Sequence, residues 1–272
     1  DGTGVDLRYA GTLLFPGGPV TGLLLVLALL TMVVGILGAV AQSRIKRLLS
    51  FTLVSHIGFM LFGIGLAGPP GLAAAIFYAV HHIVIQTTLF LAAGLVERRG
   101  GTTDMDRLGG LARISPLLGV VFLVPALNLA GIPPFSGFLG KVGLLQAGVA
   151  DGGPLAWTLV AGGLVTSLLT LYAVARVWDR VFWRAPHAEM PGPDDTTHTV
   201  RARAGREPYS DIAGHAGTML PRLMVGPTVA LTVVSVALTA VAGPLFELSG
   251  AAAVDLLERV PYVRAVFPEG VP

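Results

Sequence analysis

Lys141 lies at the end of Gly131-Ile-Pro-Pro-Phe-Ser-Gly-Phe-Leu-Gly-Lys141, a run broken by glycine and proline and flanked on both sides by apolar sequence of membrane-span character. A charge at that depth is costly, and such residues face a bundle interior or a water-filled path. A helix break there is tolerated only where protein or a cavity satisfies the freed backbone. Charge and break together point to transport of ions or protons. The second half-helix brings its positive N-terminal end close to the ammonium, and a buried lysine, unlike an arginine, can accept and release a proton. The plainer reading is a lysine whose stem runs out to the interface.

A second group lies upstream in Tyr78-Ala-Val-His81-His82-Ile-Val-Ile-Gln86. Neighbouring helical residues point about 100° apart, so the two histidines cannot share one direction. Tyr78, His82 and Gln86 follow one another at every fourth position and form a polar stripe that can order a line of water. Imidazole titrates near neutrality, which makes His82 the better relay candidate; His81 faces Phe77 and Ile85. Earlier still, Thr52 and His56 share a helix face, and Lys46 sits at the cytoplasmic entrance of the same helix, where it could feed protons inward. For the histidines the alternative is helix-to-helix hydrogen bonding; for Lys46 it is a positive-inside anchor.

The elements that must position these residues are membrane helices. The chain has 272 residues, 53% hydrophobic and 12% charged, with mean hydropathy +0.76, against about 25% charged in soluble domains. It has no cysteine, which excludes disulfides and thiolate metal sites. A net charge of +2 gives no argument for nucleic acid. The expected fold is an all-α integral membrane protein of about six transmembrane helices, each needing about 20 apolar residues: 19–42, 48–67, 71–96, 115–148, 154–179 and 223–247. The fourth is too long for one straight helix and divides at Gly131–Gly137, where Pro133 and Pro134 remove two backbone donors. Gly131, Pro133, Pro134 and Gly137 form the expected hinge. The chain starts Asp-Gly-Thr-Gly, without Met, and reads as a fragment or a processed product.

Charge sets the orientation. Arg44, Lys46 and Arg47 fall between spans one and two, and Arg98, Arg99, Arg107 and Arg113 between three and four. Arg176, Arg180, Arg184, Arg201, Arg203, Arg206 and Arg222 fall at or between the ends of five and six. The positive-inside rule puts these connections in the cytoplasm and both chain ends outside. Residues 1–18 then form an external N-terminal segment, 184–222 a polar cytoplasmic linker, and 248–272 an external tail whose stretch 251–266 suits a short interfacial helix. No Asp or Glu lies within the span interiors, so a Na⁺ site would need hydroxyl, carbonyl, water or partner-subunit oxygens. No cofactor and no resident metal are expected.

Three segments in order carry a resemblance. Arg44-Ile-Lys46-Arg47-Leu-Leu-Ser-Phe-Thr-Leu-Val-Ser-His56-Ile-Gly58, then His81-His82 with Leu89-Phe90, then Gly131 to Lys141, are similar to hallmark segments of the antiporter-like subunits shared by respiratory complex I, Mrp cation/proton antiporters and membrane-bound hydrogenases. The double histidine, the Gly-Ile-Pro-Pro run ending in Lys141 and the terminal Tyr262-Val-Arg-Ala-Val-Phe267 most resemble the D-type subunits of Mrp antiporters; the N-type subunit of complex I is also similar. The resemblance implies a longer subunit of two inverted repeats with a broken helix in each, of which this chain covers the last six helices and most of the second repeat. It implies a bacterial plasma-membrane transporter subunit, not an enzyme in its own right, working with other membrane subunits and moving H⁺ and Na⁺. Lys141 would stand at the outer proton half-channel, with His82, His81 and position 86 along the central axis. The family usually has lysine where Gln86 stands, and an amide cannot carry a proton. Redox-driven pumping in complex I or a hydrogenase, and a scaffold with dead proton sites, are the alternatives.

Overall fold

The computed structural model describes residues 18–185 and 220–258, and among them every regular element is a helix. Helices α1 (Pro19–Val40), α2 (Ile45–Gly65) and α3 (Pro69–Gly100) are followed by a single turn, α4 (Leu111–Ile114). The broken pair is α5 (Pro116–Ala130) and α6 (Ser136–Asp151). Helix α7 (Pro154–Val177) runs on as a π-helical turn over Trp178–Trp183, and α8 (Arg222–Ala240) leads into α9 (Ala242–Leu257). Five helices are long and apolar enough to cross a membrane: α1, α2, α3, α7 with its π turn, and α8; α5 is a shorter apolar helix. The punctuation is legible in the residues. Proline opens α1, α3, α5 and α7, where its missing N–H has no helical acceptor in any case. Glycine in the left-handed region closes α3, α5 and α6 at Gly101, Gly131 and Gly152.

Several boundaries differ from the expected ones. The second span starts at Ile45 rather than 48, so Lys46 and Arg47 belong to the helix rather than to the connection before it. The third span continues to Gly100, so Glu97, Arg98 and Arg99 belong to the helix rather than to the following connection. The fourth breaks over 131–135, and Gly137 lies in the first turn of α6 rather than in the hinge; the Asn128 side chain accepts from the Gly137 N–H at 2.9 Å and so draws that residue into the helix start. The sixth is not one helix to 247. It ends at Ala240, Val241 leaves helical geometry, and α9 starts at Ala242, with Pro244 in its first turn, where a proline is tolerated. Phe246 of α9 stacks on Phe77 of α3 at 4.0 Å, so residues 242–257 form a helix packed on the bundle. The part of the expected interfacial helix beyond 258, most of the 184–222 linker and the 1–17 segment lie outside the described residues.

The basic connections gather at one end. Ile45 N donates to Thr103 O and Met105 N to Ser43 O, both at 2.9 Å, which pairs the α1–α2 connection with the α3–α4 connection. Arg176 donates to the carbonyls of Val40 and Gln42, and Arg180 to Asp106. This common end is what the charge pattern requires.

Two apolar clusters fill the interior. One, toward the basic end, contains Ile36, Leu48, Leu49, Leu89 and Phe122; the other contains Ala28, Met32, Phe59, Phe62 and Leu144. Along α2 and α3 the residues between the clusters are polar and buried: Thr52, Ser55 and His56 on one helix, His81 and His82 on the other. Close backbone approach locks α1 to α2 across this layer. A Cβ on Gly58 would lie 2.6 Å from the Met32 nitrogen and 2.7 Å from the Ala28 carbonyl oxygen, and neither backbone atom can move aside cheaply. Gly58→Val is expected to destabilise the subunit by about 1–3 kcal/mol through overpacking, read as a lower midpoint in thermal unfolding of the purified complex.

Candidate functional site

The polar layer is built from α3 outward. Its 3.6-residue period aligns Tyr78, His82 and Gln86, and all three are buried. Tyr78 Oη lies 2.7 Å from His56 Nδ1, and the His56 and His82 rings stack at 4.9 Å with an 18° angle between planes. Gln86 Nε2 donates to Leu49 O at 2.6 Å, an oxygen that also accepts from Thr52 Oγ1 at 2.8 Å. Thr52 and His56 therefore do not address one shared group: the hydroxyl turns to the backbone and the imidazole to Tyr78. His81 turns the other way, toward the break, with Nδ1 2.9 Å from Ser136 Oγ.

Lys141 is 4% exposed. Its Nζ donates to Leu129 O at 3.2 Å and Ala130 O at 3.1 Å, the last carbonyls of α5, and stands 5.4 Å from the centre of the Phe59 ring. From the sequence, the expected neighbour of the ammonium is the positive end of α6. The structure instead gives it the negative end of α5, because helical side chains lean toward their own N-terminus and Lys141 reaches back across the gap. A cation is favoured there, and the aromatic face adds to it. Gly131, at φ +81°, is required twice over: a side chain there would be strained, and its Cβ would meet Lys141 Cδ at 2.9 Å. The ammonium is turned into the bundle and does not run out to an interface.

The break itself is held by residues that do not stand out in the sequence. Asn128 Nδ2 donates to Ser235 O at 3.3 Å while its Oδ1 accepts from Gly137 N. Ser136 N, a free donor at the start of α6, finds Thr239 Oγ1 at 3.0 Å. Thr228, Thr232, Ser235 and Thr239 recur on one face of α8, and that polar spacing in an apolar helix was the available signal. Pro133 and Pro134, joined by a cis peptide bond, form the crossing between the half-helices.

Lys46 is not part of this assembly. It pairs with Glu97 at the basic end, both side chains close to half exposed, and Leu48 and Leu49 of the apolar cluster lie between it and Thr52 on α2. Within the layer, His56 Nε2, His81 Nε2, both ring nitrogens of His82, Gln86 Oε1 and Thr166 Oγ1 have no protein partner. Buried polar atoms are nearly always satisfied by protein or water, and these six atoms without a protein partner are concentrated on the residues around the histidines. Among the described residues no group of three His, Cys, Asp or Glu is placed to hold a metal ion.

The family model described as NADH:quinone oxidoreductase/Mrp antiporter, transmembrane, matches residues 7–170. The chain belongs to that family. It is 35% identical over 247 residues to the D-type Na⁺/H⁺ antiporter subunit of Alkalihalophilus pseudofirmus, covering 91% of this chain and 45% of the relative. It is 37% identical over 168 residues to an N-type NADH-quinone oxidoreductase subunit of Syntrophobacter fumaroxidans, 62% of this chain and 35% of the relative. Among solved structures, a chain of the Mrp complex from a Dietzia species superposes with TM-score 0.74 at 36% identity, over 91% of this chain and 49% of that one. The chain thus spans about half the length of the antiporter-family relatives it matches. Within this family member, Tyr78 is the residue that ties α3 to α2 through His56. Tyr78→Phe keeps the ring packing and leaves His56 Nδ1 unpaired; it is expected to cost about 1–3 kcal/mol, seen as a lower unfolding midpoint with assembly retained.

Proposed function

We propose that this chain is the second half of a proton-translocating subunit of a multi-subunit Mrp-type Na⁺/H⁺ antiporter in the bacterial plasma membrane. The observation that carries the reading is Lys141: a fully enclosed ammonium held by the carbonyl end of a broken helix, one helix away from three histidines with unpartnered ring nitrogens. Lys141 is the group that loads and unloads a proton at the break, and His81, His82 and His56 form the buried route toward it. Gln86 cannot carry a proton, so the route past it runs by water or by His82. Other membrane subunits supply the coupling to the exported cation, and the lipid bilayer faces the apolar exterior of α1 and α7.

The A. pseudofirmus and Dietzia likenesses support the antiporter setting. The likeness to an N-type subunit of an NADH-quinone oxidoreductase favours a second reading, in which the same path serves a redox-driven pump. Lys46 keeps a place at the cytoplasmic entrance in either reading, as an anchor paired with Glu97.

The test is Lys141→Ala in the complete complex, with ΔpH-dependent transport measured in membrane vesicles. Transport is expected to fall to the level of vesicles lacking the complex, with assembly preserved. Unchanged transport in an assembled variant would remove Lys141 as the proton carrier.

A further inference from the structure

We propose that Asn128 is a positioning residue that, through Ser136, fixes His81 as its Nδ1–H tautomer and leaves Nε2 as the only atom by which this imidazole takes up and returns a proton. The inference deepens the proton-path reading and rests on it for its consequence. The tautomer itself follows from hydrogen-bond direction alone.

The orientation of the Asn128 amide is settled by two backbone groups. Gly137 N–H can only donate, and it faces Oδ1 at 2.9 Å; Ser235 C=O can only accept, and it faces Nδ2 at 3.3 Å. The oxygen that Asn128 turns to the break therefore carries no hydrogen. Ser136 Oγ lies 3.4 Å from that same Oδ1, so the hydroxyl hydrogen is directed to it. Ser136 is left with lone pairs for its other neighbour, His81 Nδ1, at 2.9 Å. The imidazole must then donate, which places its hydrogen on Nδ1 and a bare lone pair on Nε2.

The opposite arrangement is worse at both ends. A hydroxyl donating to Nδ1 would turn two oxygen lone pairs toward each other across the Asn128–Ser136 contact. It would also put an N–H on His81 Nε2, a buried atom with no protein partner. Orphaned buried N–H donors are rarer than under-used acceptors. Gly137 keeps the approach to Nε2 open: a Cβ there would stand 3.0 Å from Nε2 and would also overlap the Asn128 carbonyl oxygen.

The proton balance has one route. A proton arriving at Nε2 forms an N–H bond and makes the ring an imidazolium, with Nδ1–H still on Ser136. Departure through Nδ1 would need Ser136 to pass its own hydrogen to an amide oxygen, which is too weak a base to keep it. The bond that breaks is therefore the Nε2–H bond that formed, and the ring returns to its starting tautomer. His82 differs: neither of its ring nitrogens has a protein partner, so it can receive on one side and release on the other. The two adjacent histidines thus divide the work into a fixed one-sided station beside the break and a two-sided shuttle in the layer.

The experiment is solid-state NMR of the assembled complex containing the full-length subunit, with isotope-labelled histidine and the His81 signals identified by their loss in His81→Gln. The neutral His81 ring is expected to be protonated at Nδ1. Ser136→Ala, which keeps the Thr239 cap on the backbone, and Asn128→Leu, which is close in shape, are each expected to switch it to Nε2–H. Asn128→Asp, which keeps an acceptor oxygen, is expected to retain Nδ1–H. An Nε2–H ring in the unaltered complex, or an Nδ1–H ring that survives Ser136→Ala, overturns the proposal. These signals report the hydrogen-bond chain whether or not Lys141 carries protons, so a failure here and a failure of the proton-path reading are told apart.

Discussion

An ammonium enclosed in a membrane bundle has to be given oxygen atoms, and here the oxygens come from a helix that stops early. Leu129 O and Ala130 O are available to Lys141 only because α5 ends at Gly131 and no following N–H takes them. The stop creates matching needs on the other side, where α6 begins with free donors. Asn128 and Thr239 meet two of them, and Thr239 arrives on α8, far along the chain. The charge therefore depends on the break, and the break depends on a helix from the far side of the 184–222 segment.

The same constraint shapes the rest of the interior. Along α2 and α3 the buried polar side chains Thr52, Ser55, His56, His81 and His82 lie between apolar clusters. Apolar packing above and below keeps the dielectric low and excludes bulk water, which makes every unpaired polar atom in the layer expensive. Structural polar networks are usually satisfied in full. In this one, the members that anchor helices are paired (Ser55, Tyr78 and Asn128), whereas most of the imidazole nitrogens are left without protein partners. That division separates the groups that hold the layer together from the groups that the proposed proton path would use.

Much of this was legible in the sequence, for physical reasons that differ by element. Proline and glycine mark helix ends by local sterics, so the starts of α1 and α7 and the break after Ala130 could be read directly. The three buried histidines and Lys141 stand out because charge and imidazole are rare in spans. What could not be read is which way each side chain turns. His81 reads as the lesser of the two histidines in sequence because its own helix offers it Phe77 and Ile85; its partner, Ser136, is 55 positions away. Asn128 is one polar residue in an apolar run, and its role needs the α6 N-terminus and α8 in place. The expected sixth span is too long because hydropathy does not fall at Val241, where only the backbone turns. Lys46 resembles an entrance because it is close in sequence to Thr52, and depth in the bundle is invisible at that range.

On this reading Lys141 works by giving up and regaining its proton, beyond supplying a positive charge to the end of α5. Lys141→Arg in the complete complex separates these roles, since arginine keeps the charge and can still donate to Leu129 O and Ala130 O but does not release a proton in proteins. Measured as ΔpH-dependent transport in vesicles, a proton-carrying role requires an assembled arginine variant with transport abolished. An assembled arginine variant that transports at the unaltered rate would reduce Lys141 to a fixed charge.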